Sequence, residues 1–262
     1  MRVLIPTDFS KNFNLIISSL NPEIAEEVYL LNVVDVLRFF GLDFDVYPWV
    51  KREISKRLCK LSKISEMLER RGFKCRFSVT MGYPPLEIVE FARRNSVDLI
   101  AMGARGKNVL KSSPIGGVVE EVLLNGCTPV LIYRNNGKNV FDHVLVAYDF
   151  SKCSEFMLNY VLRFKPKKVT ILHVTERTFS KSVLMSKKAE IESRGIRCEV
   201  IVRRGDPHKE ILKVSEAINP TSIALGCNGI GARNCIGTVA DVVMRFSKTS
   251  VLVFKKLYKM GL

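Results

Sequence analysis

The sequence predicts an α/β protein built from two tandem, doubly wound domains, each with a parallel sheet that helices cover on both faces. Short apolar runs of strand length alternate along the chain with longer segments of helical periodicity. The continuous apolar character of several runs is typical of parallel strands that are buried on both sides. The same succession of segments then occurs a second time, which indicates an internal duplication.

The first half supplies the elements in alternation. Strands are predicted at residues 2–6, 28–34, 74–80, 99–102 and 130–133. Helices are expected to begin near Ser10, a good N-cap residue, and to cover residues 51–71, 84–94 and 117–125. The segment 37–50 between the second strand and the second helix is rich in aromatic residues.

The second half repeats this order. Residues 144–151 repeat residues 3–10 at an offset of 141, and residues 205–211 repeat residues 82–88 at an offset of 123. The difference of 18 falls between the second and third strands, so the first half carries an insertion at about residues 36–50. We predict domains at 1–136 and 141–262, joined by the polar run 135–139.

A glycine-punctuated loop follows the fourth strand. Apolar residues 99–102 lead into Gly103 and Gly106, and the next helix is expected to begin at about Gly117. The loop carries Arg105, Lys107 and Lys111. Main-chain N–H groups at a helix start favour an anion, and glycine lets a ligand approach the backbone closely. The pattern therefore indicates a cradle for the phosphates of a nucleotide.

Composition limits the classes of protein. The chain has 41 Lys and Arg against 26 Asp and Glu, a net charge of +15, 47% hydrophobic residues and a mean hydropathy of +0.10. Apolar runs stay far below the roughly 18 residues of a membrane span, and Asp8 interrupts any signal peptide. The seven cysteines form no C-x-x-C pair. We expect a cytoplasmic protein without membrane, zinc site or disulfide framework; the basic residues are spread, so nucleic acid is not the expected partner.

Three features together resemble the universal stress protein family. They are Pro-Thr-Asp-Phe-Ser at residues 6–10, the G-x2-G-x9-G loop, and residues 82–88. The likeness covers nearly the whole chain and is closest to the ATP-binding branch. It implies a five-stranded parallel sheet in the order 3-2-1-4-5 in each domain, with ligands bound where the strand order reverses. Asp8 would then lie beside Gly103 and Gly106.

The resemblance implies an adenine-nucleotide site in each half, with ATP, ADP or AMP as ligand and Mg²⁺ as an optional companion. The main chain of Val33 would meet adenine, Asp8 the adenosine end, and the glycine loop the phosphates. The first site would comprise Pro6, Thr7, Asp8, Val33, Met102, Gly103, Gly106, Gly116, Gly117, Val118 and Val119. The second would comprise Ala147, Asp149, Val174, Leu225, Gly226, Gly229, Gly237, Thr238 and Val239.

Both sites depart from the family pattern. Gly117 stands where the family has Ser or Thr, so a hydroxyl contact to phosphate is missing from the first site. The second site keeps Thr238, but seven residues separate Gly229 from Gly237. Its loop is therefore shorter, and we expect weaker binding there or binding of a shorter nucleotide, AMP or ADP.

Plainer interpretations stay open beside these. Asp8 and Asp149 fit helix-capping carboxylates, and the glycines fit an ordinary turn with close helix packing. Cys227 and Cys235 flank the second loop and are either redox-sensitive or inert. His143, His173 and His208 have no catalytic spacing, so we assign no catalytic residue and no metal ligand. The aromatic insertion is a lid over the first site, an interface, or a flap on its own domain.

The leading hypothesis is an adenine-nucleotide-binding regulatory or stress-response protein rather than an efficient enzyme, because no general base for phosphoryl transfer is recognisable. A slow ATP hydrolase or phosphotransferase is the first alternative. A basic module that docks nucleic acid or protein without a nucleotide is the second. By resemblance, the last strands of the two halves would pair in an intramolecular pseudo-dimer, and a homodimer through the aromatic insertion is a further possibility.

Overall fold

A computed structural model of the chain describes residues 1–35, 46–106, 114–134, 139–176, 181–226 and 236–255. The chain divides into two compact units, Met1–Val130 and Leu131–Leu262. Most of the predicted linker lies outside the described residues, and the domain bounds 1–136 and 141–262 remain our proposal. None of the described helices combines the length and apolar character that crossing a membrane requires.

The first half alternates strands and helices as predicted. Its strands are β1 (Arg2–Pro6), β2 (Glu27–Asp35), β3 (Lys74–Gly82), β4 (Leu99–Gly103) and β5 (Val130–Tyr133). Its helices are α1 (Lys11–Ser19), α2 (Val46–Arg70), α3 (Pro84–Arg94) and α4 (Gly117–Asn125). The strand order is β3-β2-β1-β4-β5, and the pairs β1–β2, β1–β4 and β2–β3 are parallel. The predicted order 3-2-1-4-5 is confirmed.

The second half repeats this arrangement. Its strands are β6 (His143–Ala147), β7 (Lys168–Val174), β8 (Arg197–Arg203), β9 (Ser222–Gly226) and β10 (Ser250–Phe254). Its helices are α5 (Lys152–Leu162), α6 (Ser182–Ser193), α7 (Pro207–Ile218) and α8 (Thr238–Phe246). The order β8-β7-β6-β9-β10 is that of the first half, again with parallel pairs. The sequence duplication is therefore a duplication of the fold.

Burial explains why these runs form strands. Five strand residues have no exposed surface. They are Leu4 and Ile5 of β1, Ile100 of β4, and Val144 and Leu145 of β6. Apolar side chains on both faces of a strand are covered only when helices pack on both sides of the sheet. Removal of this apolar surface from water is the main stabilising contribution to such a core.

The topology leaves a crevice beside β1. Residues Val3 and Leu4 pair with Leu99 and Ile100 of β4, while β2 continues on the other side of β1. The chain leaves β1 and β4 in opposite directions at this point, so a gap opens between the carboxyl ends of these two strands. In folds of this kind, ligands bind in such a gap.

One boundary differs by several residues from the prediction. Helix α2 begins at Val46 instead of residue 51, so the end of the aromatic segment is helical; Pro48 is compatible because the first turn needs no N–H from it. Phe39, Phe40 and Phe44 lie outside the described residues. The end of α4 at Asn125 is as predicted. Gly126 follows it with φ −92°, and an added Cβ there would lie 2.8 Å from the Val122 carbonyl oxygen.

Candidate functional site

A cleft of about 870 Å³ opens at the carboxyl ends of β1, β2 and β4. This volume is within the usual range of small-molecule sites. The residues predicted for the first site all line it, namely Pro6, Thr7, Asp8, Val33, Met102, Gly103, Gly106, Gly116, Gly117, Val118 and Val119. The structure therefore brings together in one place residues that are separated by almost half the chain.

The turn after β1 is held by its own side chains. Thr7 Oγ1 accepts a hydrogen bond from the Phe9 N–H at 2.8 Å, and Asp8 Oδ1 accepts one from the Ser10 N–H at 2.9 Å. Phe9 adopts a left-handed φ of +58°, which such a tight turn requires. Ser10 is the N-cap of α1, but its hydroxyl makes no capping bond. Asp8 thus stabilises the turn that leads into α1 through one of its two oxygens, and this bond goes to the N-cap residue that precedes the helix.

The other oxygen of Asp8 faces the glycine loop. A Cβ at Gly106 would lie 2.8 Å from Asp8 Oδ2, so any side chain there would force the carboxylate to move. At Gly103 an added Cβ would lie 2.6 Å from Asn12 Cβ, and Asn12 Nδ2 donates to the Arg105 carbonyl at 2.7 Å. Helix packing therefore explains Gly103, as the plainer interpretation proposed, whereas Gly106 brings the loop against the carboxylate.

Helix α4 starts at the wall of the cleft. Gly116 is its N-cap, and its N–H donates to the Ala104 carbonyl at 2.9 Å, which ties the helix start to the glycine loop. An added Cβ at Gly117 would meet no atom within 4 Å. Val119 is buried, and its N–H donates to the Gly116 carbonyl at 3.0 Å. The first N–H groups of a helix lack intrahelical acceptors and favour an anion. Lys107 and Lys111 lie outside the described residues.

Val33 presents its main chain toward the same cleft. Thr7 N–H donates to the Leu31 carbonyl at 2.8 Å, so the backbone of Leu31 faces β1. Strand geometry turns the backbone of alternate residues to the same side, so Val33 also faces β1, beyond the end of that strand. This places a main-chain donor and acceptor at the edge of the cleft, where the resemblance implied adenine.

Five further side chains of α2 line the cleft, and the sequence interpretation had not assigned them to the site. They are Trp49, Glu53, Lys56, Arg57 and Lys60. Lys56 and Lys60 are exposed, and they belong to the wall of the cleft. Their spacing of four, three, one and three residues is helical and was the signal that could have found them.

Ion pairs connect this face of α2 internally. The Glu53 carboxylate lies 3.1 Å from Lys56 Nζ and 3.6 Å from Arg57 Nε. The hydrogen bond from Lys56, together with the charges of Lys56 and Arg57, lowers the pKa of Glu53 against the effect of its partial burial. Arg57 Nη1 in turn donates to Asn32 Oδ1 at 2.8 Å and to the Val33 carbonyl at 3.3 Å.

The second half repeats the turn but not its surroundings. Asp149 Oδ1 accepts from the Ser151 N–H at 3.0 Å, and Phe150 has φ +64°, as at Asp8 and Phe9. Gly237 is the N-cap of α8, whose first residue is Thr238. The remaining described residues of the predicted site are placed at strand ends or the α8 start: Ala147, Val174, Leu225, Gly226 and Val239. Gly229, Cys227 and Cys235 lie outside the described residues.

Tyr148 replaces Thr7 in the second half and joins a polar cluster between α5 and α6. Its hydroxyl donates to Glu155, whose carboxylate also pairs with Lys187. Burial and the bond to Glu155 raise the pKa of Tyr148. Burial alone would raise the pKa of Glu155, but hydrogen bonds from Lys187 and Tyr148 hold it below its ordinary value. The cluster binds helices of the unit to each other.

Candidate metal ligands are scattered in the part of the chain that the structure describes. It holds no group of three or more His, Cys, Asp or Glu side chains that would bind a metal ion. His143 Nε2 contacts Thr170 Oγ1 at 2.9 Å, and burial lowers the pKa of this imidazole. His208 lies 4.0 Å from Asp206, and Nδ1 of His173 contacts the Tyr148 carbonyl.

Comparisons with known proteins agree on one family. The sequence profile of the universal stress protein family matches residues 1–134 and 180–255. Universal stress protein MJ0531 of Methanocaldococcus jannaschii is 35% identical over 142 residues, which cover 52% of this chain and 84% of that protein. MJ0577 of the same organism is 32% identical over 153 residues, covering 51% of this chain and 94% of that protein.

A solved structure matches both halves together. The crystal structure of a universal stress protein from Archaeoglobus fulgidus has a TM-score of 0.80 at 30% identity, covering 97% of this chain and 98% of that one. A universal stress protein structure from Pseudomonas aeruginosa, at 15% identity and a TM-score of 0.69, supports the fold alone. The family profile, the relatives and the strand order lead to the same result: this chain belongs to the universal stress protein family.

Proposed function

We propose that the first half binds an adenine nucleotide, ATP, ADP or AMP, and that the protein is a regulatory or stress-response protein rather than an efficient enzyme. The observation that carries the proposal is the contact of Asp8 with Gly106 at one cleft, together with the α4 N-terminus and the Val33 main chain. A carboxylate, a pair of main-chain groups and a helix start suit a ribose, a base edge and phosphates respectively.

The nucleotide would lie along the carboxyl edge of the sheet. Val33 offers its N–H and carbonyl to the base, and Asp8 accepts hydrogen bonds from the ribose hydroxyls. Gly106 and the first turn of α4 take the phosphates, with Arg105 as a cation that also lines the cleft. A bound Mg²⁺ would be held mainly by phosphate oxygens and water, as is usual for this ion.

We propose that the second half binds a nucleotide more weakly or binds AMP or ADP. Support comes from the repeated Asp149 turn and from Thr238 at the start of α8. The shorter glycine loop and the bulky Tyr148 in place of Thr7 argue for a different ligand length. We further propose that the chain acts in the cytoplasm and that its halves form a pseudo-dimer, with a homodimer as the next level of assembly.

Titration calorimetry on the full chain tests the nucleotide proposal. Asp8→Ala and Asp149→Ala are matched variants, since each loses the same hydrogen bond to the serine two residues on. We expect Asp8→Ala to abolish the tighter ATP site and Asp149→Ala to remove only the weaker AMP site. Absence of any heat of binding with ATP, ADP and AMP in the wild type would reject the proposal.

The hydrolase alternative needs its own assay. Release of inorganic phosphate from ATP is followed with and without Mg²⁺, in wild type and in Asp8→Ala. Binding without multiple turnovers fits a regulatory role. If the wild type hydrolyses ATP in multiple turnovers and Asp8→Ala abolishes this activity, the protein is an enzyme instead of a regulatory binding protein.

A further inference from the structure

The second helix of the first half is much longer than its counterpart. Gly82 and Gly205 correspond at an offset of 123, so the start of α6 at Ser182 corresponds to position 59. Residues 46–58 of α2 therefore have no counterpart in α6. We name these residues the added turns of α2; they continue the insertion that the sequence comparison placed in the first half.

The added turns present one face to the cleft. Trp49, Glu53, Lys56 and Arg57 lie on this face, and Lys60 extends it by one turn. Buried Val50 and Leu61 are on the neighbouring face and pack into the core. The helix is thereby fixed in rotation, because turning the polar face away from the cleft would expose the apolar one.

Contacts at both ends of the site hold this face in place. The Arg57 guanidinium bonds to Asn32 and to the Val33 carbonyl, and Asn32 Nδ2 donates to the Thr7 carbonyl at 2.6 Å. Lys60 Nζ lies 5.3 Å from the centre of the Phe9 ring, a cation–π contact beside Asp8. The added turns are thus tied to the two strand ends that would contact the nucleoside.

We propose that the added turns of α2 form a wall of the first nucleotide site, in which Trp49 contacts the nucleoside and Arg57 is the positioning residue. This inference rests on the proposed function. Trp49 stands eight residues before Arg57, roughly 12 Å away along the helix axis. An indole offers a flat, amphipathic surface to a purine, and the wall makes the first site selective for a ligand with a base.

The chain contains one tryptophan, Trp49, so its fluorescence reports on this wall directly. The experiment uses the full chain carrying Asp149→Ala, which leaves the first site to be read alone. AMP is expected to change Trp49 emission in a saturable way. Tripolyphosphate, which has phosphates but no base, is expected to bind without that change. An equal change of Trp49 emission with AMP and with tripolyphosphate would reject the proposed contact between Trp49 and the nucleoside.

Variants separate contact from support. Trp49→Ala is expected to weaken AMP binding by calorimetry about tenfold, a typical effect of one lost stacking contact. Leu58→Ala is the matched control, since Leu58 lies in the added turns, is exposed and is not part of the cleft wall. Arg57→Ala is expected to reduce the emission change at saturating AMP, and Arg57→Lys to restore part of it.

The outcomes distinguish this inference from the proposed function. Calorimetry could show that AMP binds while Trp49 emission stays constant and Trp49→Ala binds AMP like the wild type. This result would reject the proposed wall and leave the nucleotide site in place. If neither AMP nor ATP binds to the full chain, both are rejected. An effect of Leu58→Ala equal to that of Trp49→Ala attributes the loss to helix stability and also overturns the assigned contact.

Discussion

Asn32 and His173 occupy equivalent positions 141 residues apart. Each side chain links the second strand of its half to the turn that follows the first strand. Asn32 Nδ2 donates to the Thr7 carbonyl at 2.6 Å, and His173 Nδ1 lies 2.8 Å from the Tyr148 carbonyl. Because a carbonyl oxygen only accepts hydrogen bonds, His173 must carry a proton on Nδ1. Different side chains thus perform the same structural task beside the two predicted sites.

Replacement of Asn32 tests this task. Asn32→Ala removes the bond to Thr7 and the acceptor of Arg57, and both partners are buried or half-buried. The free energy of unfolding of the full chain is expected to fall by about 1–3 kcal/mol in urea titration. In the second half, His173→Asn should lose less stability than His173→Ala, since an amide keeps the donor. Equal losses for the two His173 variants would show that ring packing, not the hydrogen bond, is what counts.

The close approach at Gly106 predicts a loss of ligand binding. In Gly106→Ala the new methyl group would lie 2.8 Å from Asp8 Oδ2, so the carboxylate must move. Calorimetry is expected to show at least tenfold weaker ATP binding in the first half, with little change in the melting temperature. Gly117→Ala serves as the stability control, because its methyl group meets no protein atom within 4 Å. Unchanged ATP binding in Gly106→Ala would remove Asp8 from the site.

The missing hydroxyl at position 117 predicts a gain. Gly117 is the first residue of α4, and its surroundings have room for a side chain. Gly117→Ser is expected to add a hydrogen bond to phosphate of about 1.5 kcal/mol, or about tenfold in affinity. The gain should be larger for ATP than for adenosine, which has no phosphate. A gain of the same size with adenosine would point to helix stabilisation instead.

The cluster of Tyr148, Glu155 and Lys187 predicts a pH dependence of stability. The folded pKa of Glu155 is lowered, so its contribution is present above its ordinary value of 4.5 and is lost as the pH falls through the folded value. Lys187, with a raised pKa, contributes below its ordinary value of 10.5. Both groups are partly solvated, so the expected contribution is at most about 1 kcal/mol.

Urea midpoints between pH 7 and pH 3 measure this dependence. Lys187→Met is expected to lower the midpoint at pH 7 and to reduce the further loss toward pH 3. Lys188→Met is a suitable control, because this neighbour pairs at 3.7 Å with Glu192 and not with Glu155. Parallel pH curves for wild type and Lys187→Met would contradict the prediction.

Features that repeat or alternate were predictable from the sequence. The strand order and the meeting of Asp8 with Gly106 followed once the duplicated motifs were matched to a family. The start of α2 was not predictable from the sequence, because residues 46–50 are apolar and aromatic and so resemble a packed loop as much as a helix. For Arg57, helical periodicity indicates only that it shares a face with Glu53 and Lys56. Its hydrogen bonds to Asn32 and Val33 depend on tertiary contact, so the sequence did not show them.

The left-handed backbone at Phe9 and at Phe150 has a consequence for the chain as a whole. A bulky residue in this conformation is locally unfavourable, on the order of 1 kcal/mol or more, and the surrounding fold must hold it there. The same unfavourable geometry stands twice, directly after an aspartate in each copy. Both copies therefore keep this turn geometry although it lowers their stability. Glycine at either position would relieve the backbone strain, but it would hold the preceding carboxylate less firmly in position.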